Sequence, residues 1–219
     1  MDSVYEGESA YRVLCFGDSN TWGFEAGSGR RFAEGRRWPG VLAAALGPGF
    51  RVLEDGYCGR TTVFEDPVVP GRRGIVSLAS ALESQRPLGL VIIMLGTNDL
   101  KTMFSAPAES ISRGAAKLVE LVAASPAAGL GGKAPRILLV APPPILEAGS
   151  FAEVFEGGAA KSRLLPAKLA AVAEAHGIDF FDAGTVAVSN PLDGIHLSLE
   201  SHEKLGIAMA ARVREISGR

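Results

Sequence analysis

The chain has 219 residues and a formal net charge of -2, and 47% of its residues are apolar. This length suits one domain with a sizeable buried core. The slightly acidic balance excludes the broad basic surface that nucleic-acid binding requires, so we expect no nucleic-acid partner. No apolar stretch reaches the roughly 18 residues needed to span a bilayer, so we expect no membrane partner.

The amino terminus and the cysteines bear on the compartment. Residues 1–10 are polar and acidic, lack the basic start and apolar centre of a signal peptide, and are expected to be flexible. Cys15 and Cys58 do not form the dense pattern of a disulfide-rich domain. The sequence therefore predicts a reduced, cytoplasmic protein with one folded domain over residues 11–219.

Strand and helix signals alternate along the chain. The continuous apolar runs at 13–16 and 90–95 are typical of strands buried on both faces. Three further strands are predicted over 51–54, 136–140 and 178–181. Apolar spacing, early prolines and terminal glycines predict helices over 38–46, 75–84, 108–124, 158–176 (with a start or kink at Pro166) and 199–216.

The alternation continues from end to end, with no internal repeat and no interdomain linker. It predicts an α/β fold in which helices cover both faces of a central, mostly parallel five-stranded sheet, giving a single three-layer α/β/α domain. In such sheets, ligands and reactive groups collect beyond the carboxyl ends of the strands. We therefore expect the reactive loops to lie along one edge of the sheet.

Four short motifs follow one another in the chain. The first is Gly-Asp-Ser at 17–19, directly after the first strand, and the second is a glycine-bearing loop at 56–62. The third is Gly-Thr-Asn-Asp at 96–99, again after an apolar strand, and the last is Asp-Gly-Ile-His at 193–196. Each motif alone is compatible with an ordinary turn, but together they bring a hydroxyl, an amide, an imidazole and a carboxylate to one predicted edge.

Ser19, His196 and Asp193 fit the three roles of nucleophilic catalysis. A serine hydroxyl is a weak nucleophile until a base takes its proton, and that base needs a partner that fixes its tautomer. His196 is the one histidine with a carboxylate three residues ahead of it. His176 precedes a glycine at a helix end and is assigned a structural role, and His202 is predicted to be solvated on the last helix.

In this order the four motifs resemble the GDSL or SGNH hydrolase family, whose name lists its Ser, Gly, Asn and His. The stretches CFGDSNTWG, VIIMLGTND, FEGG and DGIH are most similar to the bacterial arylesterase and acyltransferase branch. The resemblance spans nearly the whole chain. One departure is Asn20, which stands where the family usually has Leu, and its effect on the choice of acyl acceptor stays open.

The resemblance implies a flavodoxin-like SGNH hydrolase fold and a serine esterase. Its substrates would be small aryl or short-chain acyl esters, cleaved through an acyl-serine intermediate with water, an alcohol or a peroxide as acceptor. It further implies an oxyanion hole made by the backbone N–H groups of Ser19 and Gly59 and the side-chain amide of Asn98. Gly59 is preferred to Gly56 because the family's glycine falls just ahead of the Arg-Thr-Thr found at 60–62. Relatives in this branch form homo-oligomers, so an oligomer is expected.

Aromatic and apolar side chains flank the motifs, and a polar one lies beside the nucleophile. Together they are predicted to line a narrow pocket that favours small acyl groups: Asn20, Trp22, Phe24, Phe151, Phe155 and Ile195. Asp18, next to the nucleophile, is expected to hold its loop by accepting backbone hydrogen bonds rather than to take part in the chemistry.

Other functions are compatible with parts of the sequence. Relatives with the same motifs act on carbohydrate esters, so a carbohydrate acetyl esterase is an alternative. A more remote one is a non-catalytic flavodoxin-like module that holds a phosphate or flavin, supported only by the glycines at 23, 27 and 29. A thiol nucleophile at Cys58 would lack an adjoining base. The sequence has no HExxH or CxxC motif, so no metal and no cofactor are expected.

Overall fold

The computed structural model describes residues 10–219, so the predicted flexible segment 1–10 lies outside the described residues except for its last position. Five parallel strands form one sheet: β1 (Tyr11–Gly17), β2 (Phe50–Gly56), β3 (Leu90–Met94), β4 (Arg136–Ala141) and β5 (Asp179–Asp182). Their order across the sheet is β2-β1-β3-β4-β5. This is the flavodoxin-like order, in which the direction of winding changes between β1 and β3.

Helices join the strands and cover both faces of the sheet. In chain order they are α1 (Ser19–Trp22), α2 (Trp38–Leu46), α3 (Gly74–Gln85), α4 (Ala108–Ala123), α5 (Gly158–Ser162), α6 (Leu165–His176) and α7 (Leu199–Ser217). Helices α2 and α7 pack on one face, and α3, α4 and α6 pack on the other. The predicted α/β/α fold with a five-stranded parallel sheet is confirmed.

Neighbouring residues of one strand belong to different core layers, because successive strand side chains point to opposite faces. Val13 and Cys15 of β1 pack in the layer that holds Trp38 of α2. Leu14 and Phe16 pack in the layer formed with α3, α4 and α6. The all-apolar run that predicted β1 therefore reflects burial from both sides.

Helix α1 has no predicted counterpart, and the other helices and strands begin and end within one or two residues of the predicted bounds, apart from one division. The long predicted helix over 158–176 is divided into α5 and α6, and Pro166 lies in the first turn of α6. Proline fits a first helical turn because it lacks only an N–H that has no partner there. No helix within residues 10–219 combines the length and the apolar character needed to cross a bilayer.

His202 corrects one prediction, since its side chain is buried rather than solvated. It lies on the face of α7 that carries Leu205 and Met209, both in the core. Its Nδ1 accepts a hydrogen bond of 3.3 Å from the backbone N–H of Trp38, the first residue of α2. The His202 imidazole, on the buried face of α7, therefore accepts a hydrogen bond from the N-terminus of α2 and caps that helix.

The strand register brings the ends of the first three strands to one edge. Gly17, the last residue of β1, pairs with Gly56 of β2 and with Met94 of β3. The segments that follow these strands are helix α1, the loop at 57–62 and the turn that carries Asn98. All three emerge side by side at the carboxyl edge of the sheet, as predicted for reactive loops in this fold.

Candidate active site

Ser19 is the first residue of helix α1, directly beyond the end of β1. Gly17 permits this sharp turn, because a Cβ at that position would lie 2.0 Å from Thr21 Oγ1. Asp18 caps the helix: its Oδ1 accepts a 2.9 Å hydrogen bond from the backbone N–H of Asn20. This agrees with the loop-holding role expected of Asp18. The turn presents the Ser19 hydroxyl at the edge where the neighbouring loops meet.

The structure brings Ser19, His196 and Asp193 into one hydrogen-bonded line. The Ser19 hydroxyl lies 2.9 Å from His196 Nε2, and His196 Nδ1 lies 2.7 Å from Asp193 Oδ2. With the proton on Nδ1, the ring donates to the carboxylate and accepts from the hydroxyl, which is the tautomer that a general base needs. Asp193 and His196 are both almost completely buried.

Asp193 also holds the backbone that carries the imidazole. Its Oδ1 accepts hydrogen bonds from the backbone N–H groups of Ile195 at 3.1 Å and His196 at 3.0 Å. Burial raises the pKa of Asp193, but the hydrogen bonds from His196 outweigh it, and the net pKa is below the ordinary value. The carboxylate is therefore ionised at neutral pH and available to stabilise an imidazolium.

Ser19, Gly59 and Asn98, the residues predicted to form an oxyanion hole, line one cavity at the carboxyl edge of the sheet. Within residues 10–219, the backbone N–H groups of Ser19 and Gly59 donate to no protein acceptor. Gly59 has a φ of +80°, a left-handed conformation that favours glycine. The Asn98 amide donates to the carbonyl of Arg60 at 3.1 Å and makes a long contact of 3.5 Å with Asp18 Oδ2.

Buried polar contacts fix the loops that carry these donors. Asp99 accepts the backbone N–H of Thr62 at 3.0 Å and so ties the Asn98 turn to the loop of Gly59. The Arg60 guanidinium donates to the Gly17 carbonyl at 2.8 Å and lies over the ring of Phe16. These bonds join the Asn98 turn to the Gly59 loop and join that loop to the end of β1, so together they fix the separation between Asn98 and Gly59.

Two carboxyl groups beneath the site are unusually hard to ionise. Burial raises the pKa of Asp18 to about 6 and that of Asp99 to about 6. The hydrogen bonds that each accepts, from Asn20 and Thr62 respectively, oppose this rise but do not cancel it. These groups differ from Asp193, which is ionised more readily than an ordinary aspartate.

A cavity of about 230 Å³ opens at the Ser19 hydroxyl. Its wall combines the proposed catalytic groups with mostly apolar side chains: Ser19, Phe24, Cys58, Gly59, Asn98, Lys101, Phe151, Val154, Phe155, Ile195 and His196. Four of the predicted pocket residues, Phe24, Phe151, Phe155 and Ile195, are among them. Phe24 stacks on the His196 ring at a centroid distance of 4.1 Å, and Phe151 meets that ring edge-on at 5.8 Å.

Asn20 and Trp22 do not line this cavity, which corrects the prediction for both. Asn20 is buried, and its side-chain amide is hydrogen-bonded to the backbone of Ile195 and Leu197. The Trp22 ring lies beside Phe24, at a centroid distance of 6.3 Å, and under the guanidinium of Arg31. Cys58, Lys101 and Val154 were not predicted, because they come from loops without a periodic signal.

Lys101 and Cys58 add a cation and a thiol to the cavity wall. The Lys101 ammonium donates to Asp66 Oδ2 at 3.1 Å, so its charge is balanced by a buried carboxylate. Burial raises the pKa of the Cys58 thiol, and the nearby Asp18 charge acts in the same direction. The thiol is therefore a weaker nucleophile than an ordinary cysteine at neutral pH. Within residues 10–219 no cluster of three or more His, Cys, Asp or Glu is arranged to hold a metal ion.

The flavodoxin-like strand order, the Ser–His–Asp line of hydrogen bonds and the mostly apolar cavity at the carboxyl edge of the sheet are the features of a serine hydrolase with a flavodoxin-like fold. The chain belongs to the GDSL-like lipase/acylhydrolase family, whose model matches residues 15–204. The family predicted from the four motifs is thereby confirmed. The chain is a carboxylic ester hydrolase.

Solved structures support this assignment. The inhibitor-bound aryl esterase of M. smegmatis is 41% identical, with a TM-score of 0.90 over 94% of this chain and 100% of that chain. A carbohydrate acetylesterase from Sinorhizobium meliloti is 40% identical, with a TM-score of 0.90 over 94% of this chain and 99% of that chain. A comparison with curated protein sequences gives no significant match. These likenesses favour an enzyme over the non-catalytic flavodoxin-like module.

Proposed function

We propose that residues 11–219 form a serine esterase domain that hydrolyses small aryl or short-chain acyl esters through an acyl-serine intermediate. The observation that supports this most strongly is the line of hydrogen bonds from Ser19 through His196 to Asp193. The Ser19 end of this line opens into a mostly apolar cavity. A nucleophile, a base within hydrogen-bond reach and a third group that orients the base are the requirements of this chemistry.

The first half-reaction forms the acyl-enzyme. Nε2 of His196 takes the Ser19 proton while Oγ attacks the ester carbonyl carbon, and Asp193 stabilises the resulting imidazolium. The tetrahedral oxyanion accepts hydrogen bonds from the N–H groups of Ser19 and Gly59 and from the Asn98 amide. The C–O bond to the alcohol then breaks, and His196 returns its proton to the leaving oxygen.

The second half-reaction releases the acyl group. A water molecule takes the place of the alcohol, His196 removes its proton, and the oxygen attacks the acyl carbon. A second tetrahedral intermediate collapses to the free acid and regenerates the Ser19 hydroxyl. An alcohol or a peroxide can take the place of water by the same steps, and the mostly apolar wall of the cavity supports such acyl transfer because it admits organic acceptors.

The cavity supports a small acyl group. Its volume of about 230 Å³ is below the ~300–1,000 Å³ usual for ligand pockets. The aromatic rings of Phe24, Phe151 and Phe155 restrict its width, and the Lys101 charge is already paired. Neutral esters with short acyl chains fit this combination better than long or anionic ones.

The expected homo-oligomer remains a proposal, supported by exposed apolar residues such as Val68 and Leu192. Light scattering, which measures the molar mass in solution, would test it.

Deacetylation of a carbohydrate is the second candidate, supported by the likeness to the S. meliloti acetylesterase. Phenyl acetate and acetylated xylan, assayed at equal acetyl concentration, separate the two substrate classes. We expect the aryl ester to be cleaved faster because the cavity wall offers aromatic surface and few free polar groups. Faster release of acetate from xylan would reverse this order and favour the carbohydrate esterase.

The experiment that tests the proposed function is Ser19→Ala. We expect kcat/KM on phenyl acetate to fall by about 10⁵–10⁶, with the fold retained, because the nucleophile is lost. Ser80→Ala, a change at an exposed serine on helix α3, is the matched control and should keep full activity. Activity of the Ser19 variant within roughly tenfold of the parent would rule out the serine mechanism.

A further inference from the structure

Asn20 bridges the two residues that flank His196. Its Nδ2 donates to the backbone carbonyl of Ile195 at 3.1 Å, and its Oδ1 accepts the backbone N–H of Leu197 at 2.9 Å. A primary amide has both a donor and an acceptor, so one side chain satisfies both backbone groups. Asn20 is only 2% exposed, and Ile195 and Leu197 are buried as well.

The Asn20 side-chain amide makes the same pair of hydrogen bonds that a neighbouring parallel strand would make. In a parallel pair, one residue uses its N–H and C=O to bond the residues on either side of its partner. Asn20 makes the same two bonds to the residues on either side of His196. The backbone of His196 itself is bonded within its own loop, with the N–H donating to Asp193 Oδ1 at 3.0 Å and the carbonyl accepting from Asn190 N–H at 2.7 Å.

These bonds have different consequences for the site. The bonds to Asp193 and Asn190 shape the loop at 189–197 but do not relate it to the serine. Among the hydrogen bonds of residues 10–219, only the two through Asn20 and the one between Ser19 and His196 join that loop to helix α1. Asn20 is also the next residue after the nucleophile on the same helix.

We propose that Asn20 is a positioning residue for catalysis, which sets the distance between Ser19 Oγ and His196 Nε2 by clamping the backbone on both sides of the imidazole. The inference rests on the proposed serine mechanism. The clamp acts through His196 and does not touch the substrate, since Asn20 is absent from the cavity wall. Loss of the clamp should therefore lower kcat and leave KM nearly unchanged.

Asn20→Leu tests the clamp with a side chain of similar size that makes neither hydrogen bond. Thr21→Val is the matched control on the same helix, because the buried Thr21 hydroxyl has no hydrogen-bond partner. A fluorophosphonate titration that counts reactive Ser19 normalises each kcat to correctly folded sites. We expect Asn20→Leu to lower kcat per titrated site by about 10- to 100-fold with KM within about twofold. Thr21→Val should match the parent.

Asn20→Asp is the second variant and keeps the result readable if the leucine variant folds poorly. Its carboxylate can accept the N–H of Leu197 but cannot donate to Ile195, so kcat per titrated site should fall again. The rate of fluorophosphonate labelling should fall in parallel, because it needs the same proton transfer to His196. A normal kcat per site in either Asn20 variant, even with a lower Tm, would overturn the inference. Failure of the mechanism itself would show separately, as an active Ser19→Ala.

Discussion

His202 should make the protein less stable as the pH falls from about 6.5 towards 4. Its ring is buried between α7 and α2, where Nδ1 accepts the N–H of Trp38. Burial lowers the pKa of His202 from 6.5 to about 4, and the charges of His196 and Arg37 act in the same direction. The unfolded chain therefore binds this proton more tightly than the native protein does. The contribution of neutral His202 to the free energy of unfolding is complete above about pH 6.5, and it is lost as the pH falls from about 6.5 to about 4.

The size of the effect follows from the two pKa values. A decrease in the pKa from 6.5 to about 4 corresponds to about 3 kcal/mol in full, of which about 2.5 kcal/mol is lost by pH 4.5. The His202→Asn variant keeps an acceptor close to the position of Nδ1 but does not titrate. Urea unfolding near pH 7.5 and 4.5 gives the free energy of unfolding for both proteins.

The parent should lose about 2.5 kcal/mol more than the His202→Asn variant between these two pH values. The comparison also removes the contributions of Asp18 and Asp99. Burial raises the pKa of each to about 6, and each therefore favours the native state as the pH falls. An equal loss of stability in both proteins would refute the account of His202 as a buried, neutral helix cap.

Three further predictions concern the site. Asp193→Asn should lower kcat by about 10³–10⁴, because the ring of His196 loses the carboxylate that fixes its tautomer. Steady-state kinetics on phenyl acetate measure this loss, and a decrease of less than tenfold would contradict the prediction. Asn98→Ala should lower kcat by about 10²–10³ with little change in KM, and an unchanged kcat would remove Asn98 from the oxyanion hole. Phe151→Ala should raise kcat/KM for longer acyl chains relative to acetate by about tenfold or more, whereas an unchanged ratio would exclude Phe151 as a limit on acyl length.

Much of the fold is visible in the sequence because its signals are local. The segments 13–16 of β1 and 90–94 of β3 are apolar at every position, as burial on both faces of the sheet requires. Helix α2 has Pro39 in its first turn and Gly47 directly after its end. These residues act on the chain within a few positions, so the sequence pattern and the observed bounds nearly coincide.

The site is visible in the sequence only in part. The three-residue spacing of Asp193 and His196 predicts their contact, since one turn joins them. The contact between His196 and Ser19 joins residues 177 positions apart and depends on the strand order. That order was supplied by the resemblance to a family and not by any local pattern.

The predictions for single residues that were wrong or missing all concern the direction in which a side chain points. His202 lies three and seven residues ahead of the buried Leu205 and Met209, a spacing that places it on the buried face of α7. Its polarity suggested solvent instead. Asn20 belongs to a helix of four residues, which is too short to show a periodic pattern. Lys101 and Val154 reach the cavity from irregular segments, where a sequence pattern carries no information about direction.

The most direct test of the acyl-serine mechanism is to locate a covalent label. The protein is treated with a fluorophosphonate for increasing times, and at each time its activity is measured and its peptides are analysed by mass spectrometry. The mechanism predicts one phosphonyl group per chain on the peptide that contains Ser19, with activity lost in proportion to labelling. A label on another residue, Cys58 included, or full activity in a protein completely labelled at Ser19, would contradict it.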